Sequence, residues 1–226
     1  MKLKSKGDSF ITFLSGVALG AALTLIVAHV VTYLQTPREV LRNTAGAAPG
    51  ATPPHVRGEM NAPVTLEEFG DFQCPPCAGF HPELKRVEAE YGSRLRVIFR
   101  HYPLAIHKHA REAARAAEAA ALQNRFWEMH DLLYEKQDEW SEACDVRQQF
   151  IRYAGDLGLD VERFTKDMDS QEVNERVRLD EQRAESLDVP GTPSLFINGS
   201  QVPSAYMSAS GIREQINAAL KASSSK

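Results

Sequence analysis

Only three cysteines occur in 226 residues. Three cannot build the multi-bridge framework that staples small secreted domains, and they fall short of a four-thiolate structural zinc site. Basic runs are also missing beyond Lys2, Lys4 and Lys6, and the formal net charge is −4. That balance argues against nucleic acid as a partner. No internal repeat is present, which sets aside solenoids and propellers. Charge is absent altogether between Asp8 and Arg38.

What fills that uncharged stretch is apolar. As a helix, residues 10–34 would extend about 37 Å at about 1.5 Å per residue, enough to cross a hydrocarbon core of about 30 Å. A cleavable leader has an apolar region of about 7–15 residues before a small-x-small site, and "AHVVTYLQT" offers no good one. The expectation is one uncleaved transmembrane signal anchor over 10–34, with a cleaved leader as the alternative. The lysines hold residues 1–9 in the cytoplasm, a bias that Arg38 and Arg42 weaken. The remainder then faces the periplasm or exterior of a cell (inner) membrane.

Residues 35–62 are rich in Pro, Gly, Ala and Thr and read as a flexible linker. A folded domain is expected over 63–221, with a disordered tail over 222–226. Within it "VTLEEF" predicts a strand, "RLRVIFRHYPL" a second, and "KHAREAARAAEAAALQ" a helix whose alanines permit close packing. "RFWEMHDLLYEKQDEW" carries an apolar stripe at helical spacing, and two or three helices follow it. "SLFINGSQV" reads as a hairpin around Asn198-Gly199, and a helix over about 208–220 closes the chain. Strand, helix, strand, several helices, hairpin, helix is an α/β sheet interrupted by a helical insertion, placed at about 105–187.

Two of the three cysteines stand in "EEFGDFQCPPCAGFHPEL". Proline lacks a backbone donor, so Pro75 and Pro76 fit only the first turn of a helix, where amide hydrogens have no intrahelical partner. The motif is therefore a stiff strand-to-helix corner presenting a dithiol. At a helix start the dipole and free amides favour a thiolate at Cys74, while Cys77, one turn inside, is expected to be more buried and less reactive. In the oxidising space outside a membrane, a pair this close gives little staple benefit and reads as redox chemistry. Cys144 stands alone in a helical segment; a buried free thiol is expected there, with an intermolecular bridge as the alternative. His107 and His109 are expected to be solvated or packed. Phe126, Trp127, His130 and His81 are expected to be packing residues, and no metal site is expected.

Beyond the dithiol, "APVTLEEFGDFQCPPC", "FRHYPLAIHKHAREAARAAEAA", "RFWEMHDLLYEKQ" and "VPGTPSLFINGSQV" occur in an order that resembles the DsbA-like thiol:disulfide oxidoreductases of the thioredoxin superfamily. The resemblance covers roughly 63–220 and implies a thioredoxin-like fold with a helical insertion. It further implies Cys74 and Cys77 as the redox-active disulfide, and Pro193 as a cis-proline that pairs with a substrate segment. Thr192 is implied to influence redox poise and substrate fit. Glu68 would be a buried acid that moves the proton of Cys77, whereas Glu67 is expected to face solvent. The implied activity is disulfide formation in secreted proteins, with no cofactor and a quinone-linked membrane redox partner. A reductase or isomerase of the same fold, or a peptide-holding protein without catalysis, are the alternatives.

Overall fold

The computed structural model describes residues 44–224, so the expected membrane segment lies outside the described residues. Among the described residues no helix is long and apolar enough to cross a membrane.

A five-stranded sheet has the order β1-β3-β2-β4-β5. Its strands are β1 (His55–Gly58), β2 (Val64–Gly70), β3 (Leu95–His101), β4 (Ser194–Ile197) and β5 (Ser200–Gln201). Helix α1 (Pro75–Tyr91) carries the chain from β2 to β3, which pair in parallel, while the other ladders are antiparallel. Parallel neighbours require such a crossover.

Between β3 and β4 come α2 (Ala110–Ala121), α3 (Phe126–Glu135), α4 (Gln137–Trp140), α5 (Val146–Asp156), α6 (Val161–Asp167) and α7 (Gln171–Ser186). Asp145, Asp160 and Ser170 cap α5, α6 and α7 by accepting from backbone amides; each such cap is worth about 1 kcal/mol. Helix α8 (Ala209–Ser223) is capped likewise by Ser208. It reaches beyond the expected boundary at 221 and absorbs the start of the expected tail.

Strand alternation sorts the core. Val64, Leu66, Leu195 and Ile197 share a cluster with Leu84 of α1 and Ile212 and Ile216 of α8. Phe69 and Phe196, one residue out of step, pack with Ala184 of α7 on the opposite face. A third cluster joins Cys74, Cys77 and Phe99 to α2, α3, α5 and α6. Buried Ala113, Ala116, Ala117 and Ala120 let α2 sit at the centre of this insertion. The Asn198-Gly199 turn has both residues at positive φ (47° and 83°), the geometry that suits a two-residue hairpin.

The expected linker is corrected over its described part. Residues 44–62 belong to the domain: β1 pairs with β3, the Thr44 amide donates to the Gly199 carbonyl at 2.7 Å, and Ala51 is fully buried. The Arg100 guanidinium donates to the carbonyls of Pro49 and Ala51, and Arg183 to that of Ala48. A Pro- and Gly-rich composition reports missing periodicity; it does not report the side chains elsewhere that take up its backbone groups.

Candidate active site

The dithiol stands where β2 turns into α1. Cys74 is the N-cap residue (φ −74°, ψ 116°), with Pro75 and Pro76 as the first two helical residues. The Cys74 amide donates to the Asp71 carbonyl at 3.1 Å, and the Cys77 amide to the Cys74 carbonyl at 3.1 Å. Both cysteines are thiols; Cys74 is 4% exposed and Cys77 fully covered.

Two residues outside the motif hold the corner. Gln137, which begins α4, donates through Nε2 to the carbonyls of Phe72 (2.6 Å) and Cys74 (3.1 Å). Asp71 accepts from the amides of Gln73 (2.7 Å) and Leu104 (2.8 Å), and pairs with His107 Nδ1 at 2.6 Å. Neither was read from the sequence, since their partners other than Gln73 lie 33 to 65 positions away. The acid three residues ahead of the first cysteine was the available signal for Asp71. His107 is thus tied to the corner through Asp71, and the His109 amide donates to Gln73 Oε1.

The two sulfurs differ sharply in acidity. The Cys77 thiol donates to Cys74 and is the largest influence on it; burial opposes, the Thr192 side chain and the Cys77 amide assist, and Cys74 is brought down to about 6. Burial, then the neighbouring Cys74 anion, push Cys77 far up. At neutral pH Cys74 is the thiolate and Cys77 the proton carrier.

Thr192 and Pro193 lie at this centre. The protonated Cys74 Sγ donates to the Thr192 carbonyl at 3.3 Å, and the Thr192–Pro193 peptide bond is cis. The Thr192 hydroxyl is buried without a partner when Cys74 carries its proton.

Glu68 lies in β2, 3% exposed. Burial raises its carboxyl to about 8, with Glu88 adding and Arg57 opposing, and its charge is felt at Cys77. Glu67 does not face solvent as expected. It is buried and bonded to Arg100 (2.8 Å) and Arg183 (2.7 and 2.8 Å). Burial alone would raise its pKa, yet the two guanidinium groups hold it below the usual range. Cys144 is exposed rather than buried; it lines a groove with Gln73, Pro75, Ile106 and His109.

His130 and His81 are buried, as packing residues would be. Ligating atoms of His81, His130 and Asp131 gather within 4.8 Å, as do those of His55, His101 and Glu118; Cys74 and Cys77 belong to neither group. In each group an arginine holds the carboxylate, Arg57 at 2.6 Å from Asp131 and Arg176 at 2.6 Å from Glu118. These carboxylates already carry their counter-charge.

A family profile described as thioredoxin matches residues 51–218. Among solved structures, BdbD from Bacillus subtilis superposes with a TM-score of 0.66 at 24% identity, covering 77% of this chain and 98% of that one. A thioredoxin-like oxidoreductase from Silicibacter pomeroyi gives 0.63 at 27%, covering 74% and 92%. Wolbachia pipientis alpha-DsbA1 gives 0.67 at 18%, covering 76% and 93%, a likeness of fold. Among curated proteins, the Na(+)/H(+) antiporter NhaA 1 of Mycolicibacterium gilvum is 43% identical over 164 residues, 70% of this chain and 25% of that protein. The antiporter NhaA 3 of Salinispora tropica is 42% identical over 67% of this chain and 22% of its own length. The chain spans about a quarter of the length of the curated relatives it matches.

Proposed function

The chain belongs to the thioredoxin family, and we propose that it is an extracytoplasmic, membrane-anchored thiol–disulfide oxidoreductase that forms disulfides in secreted proteins. One arrangement carries the reading: the Cys74 sulfur stands at the start of α1 against the Thr192 carbonyl and is lowered to about 6, with Cys77 fully covered and protonated behind it. A client thiolate attacks Cys74 of the Cys74–Cys77 disulfide, and Cys77 leaves with the electron pair and takes up a proton. A second client thiolate then attacks the client sulfur and expels Cys74, whose low basicity makes it a good leaving group. The client is left oxidised and the pair reduced.

Glu68, protonated up to about pH 8, is the group from which Cys77 draws its proton. Thr192 and Pro193 line the place where the client segment lies. Reoxidation falls to a quinone-linked membrane partner. Placement beside a membrane is supported by the uncharged run at 9–37 and by the antiporter names of relatives that contain this domain.

The test is Cys74→Ser in the full chain, assayed by oxidation of a reduced, unfolded client. Oxidation is expected to stop, and an unchanged rate would refute the assigned role. Direction is read from the equilibrium with glutathione: a potential near about −120 mV supports the oxidase and one near about −270 mV the reductase.

A further inference from the structure

One ring in the cluster that holds the dithiol carries a hydroxyl that folding alone does not call for. Tyr134, on α3, is 4% exposed, and its hydroxyl is buried without a hydrogen-bond partner. Its ring packs 4.9 Å from that of Phe72 and 5.1 Å from those of His81 and His130. A phenylalanine would fill the same space without leaving a donor desolvated and unpaired, a cost the fold otherwise bears for nothing.

The position of that oxygen is informative. A Cβ at Gly70 would come within 2.7 Å of the Tyr134 hydroxyl, so the hydroxyl occupies room left by the glycine. The next peptide unit holds the Asp71 amide, whose influence on the Cys77 thiol lowers it against burial. Hydroxyl and sulfur thus both border the stretch Gly70–Asp71, and Tyr134 and Cys77 lie in one buried cluster with Phe72 and Phe99. The charges that act on Tyr134 are, in order, Cys77, Glu68, Asp71 and Cys74. Burial first, and these charges after it, push the phenol well above its ordinary value, so it stays protonated and remains a donor.

We propose that Tyr134 is a positioning residue for the exchange reaction, its hydroxyl donating to the Cys77 sulfur only while that sulfur is an anion. The inference rests on the reading of Cys74–Cys77 as an exchanging pair. In the opening step an incoming thiolate bonds to the Cys74 sulfur and the Cys74–Cys77 bond breaks. Its electron pair leaves on Cys77, and the Glu68 carboxyl then supplies a proton. Between bond breaking and proton arrival the negative charge sits in a closed, apolar wall. A donor unpaired in both end states and paired at that moment lowers the barrier without favouring either end state.

That asymmetry defines the experiment. In full-length Tyr134→Phe, the rate at which reduced glutathione opens the oxidised pair should fall roughly tenfold to a hundredfold, the range for a hydrogen bond to a charged group. The equilibrium constant with glutathione should stay within about twofold of wild type, and the melting temperature should not drop. A rate within about twofold of wild type overturns the proposal. So does a slower rate accompanied by a shifted equilibrium and a lower melting temperature, which would mark a structural role. A wild-type pair that glutathione never opens would overturn the exchange reading as well, whereas the first two results leave that reading standing.

Discussion

Glu67 and Glu68 are neighbours in β2, both nearly inaccessible, and their acidities move apart. The arginines at 100 and 183 hold Glu67 as a carboxylate, while burial keeps Glu68 protonated to about 8. Strand alternation alone separates them, sending one to the α7 side and the other toward α1. One carboxyl is held as an ion and the other keeps its proton.

Glu68→Gln should therefore raise stability at neutral and alkaline pH. A folded-state pKa raised from 4.5 to about 8 means that the wild type loses stability as pH climbs through that window, at up to roughly 1.4 kcal/mol per unit. Glutamine has no proton to lose, so the slope should vanish. Chemical denaturation of the oxidised protein between pH 5 and pH 8, read as roughly unit steps, checks this. The same variant should open more slowly with glutathione, because the Cys77 anion loses its proton source.

How much of this was legible beforehand depended on how far each residue's partner lay along the chain. The dithiol, its place at a helix start and the contrast in acidity between its two sulfurs followed from four adjacent residues and the lack of proline donors. The alanine-rich α2 and the Asn198-Gly199 hairpin followed from local propensity. Glu67 was misplaced because its partners stand 33 and 116 positions away. Strand β1, with four residues, is too short to show alternation, and it forms because β3 offers an edge. Tyr134 was not singled out, since periodicity records the ring and says nothing of the hydroxyl.

Ultraviolet absorbance of the reduced protein should show a thiolate titrating near pH 6, absent in Cys74→Ser. Thr192→Val should move it upward by removing a donor to the anion. Linkage fixes the sign for stability. Because the folded-state pKa is depressed from 9.0 to about 6, the contribution of Cys74 is fully present above pH 9 and is lost as pH falls toward 6. The melting temperature of the reduced form should therefore gain on that of the oxidised form as pH rises through that range. Glu68 titrates in both forms and drops out of the difference.

Arg100→Met should cost roughly 3–5 kcal/mol, the usual consequence of stranding buried charge. Arg100 serves Glu67, Asp180 and two carbonyls of the strap at 49–51. Urea denaturation measures the loss. A chain cut to begin at Val64, which also forfeits β1, should be destabilised further.

Cys144 is exposed, and in the proposed oxidised form the other two cysteines are joined. Iodoacetamide should then add one group, at Cys144 by peptide mass mapping. Cys144→Ser should leave the rate of glutathione opening unchanged.

Pro75 and Pro76 strip two amide hydrogens from the helix start, leaving Cys77's own thiol as the foremost support of the Cys74 anion. In the proposed exchange the Cys74 sulfur is thus keenest while its companion still carries hydrogen. Alkylate or replace that companion and the survivor reverts toward an ordinary, sluggish thiol. Reactivity at the outer position doubles as a report on the state of the inner one, and a half-damaged centre falls quiet instead of attacking whatever passes.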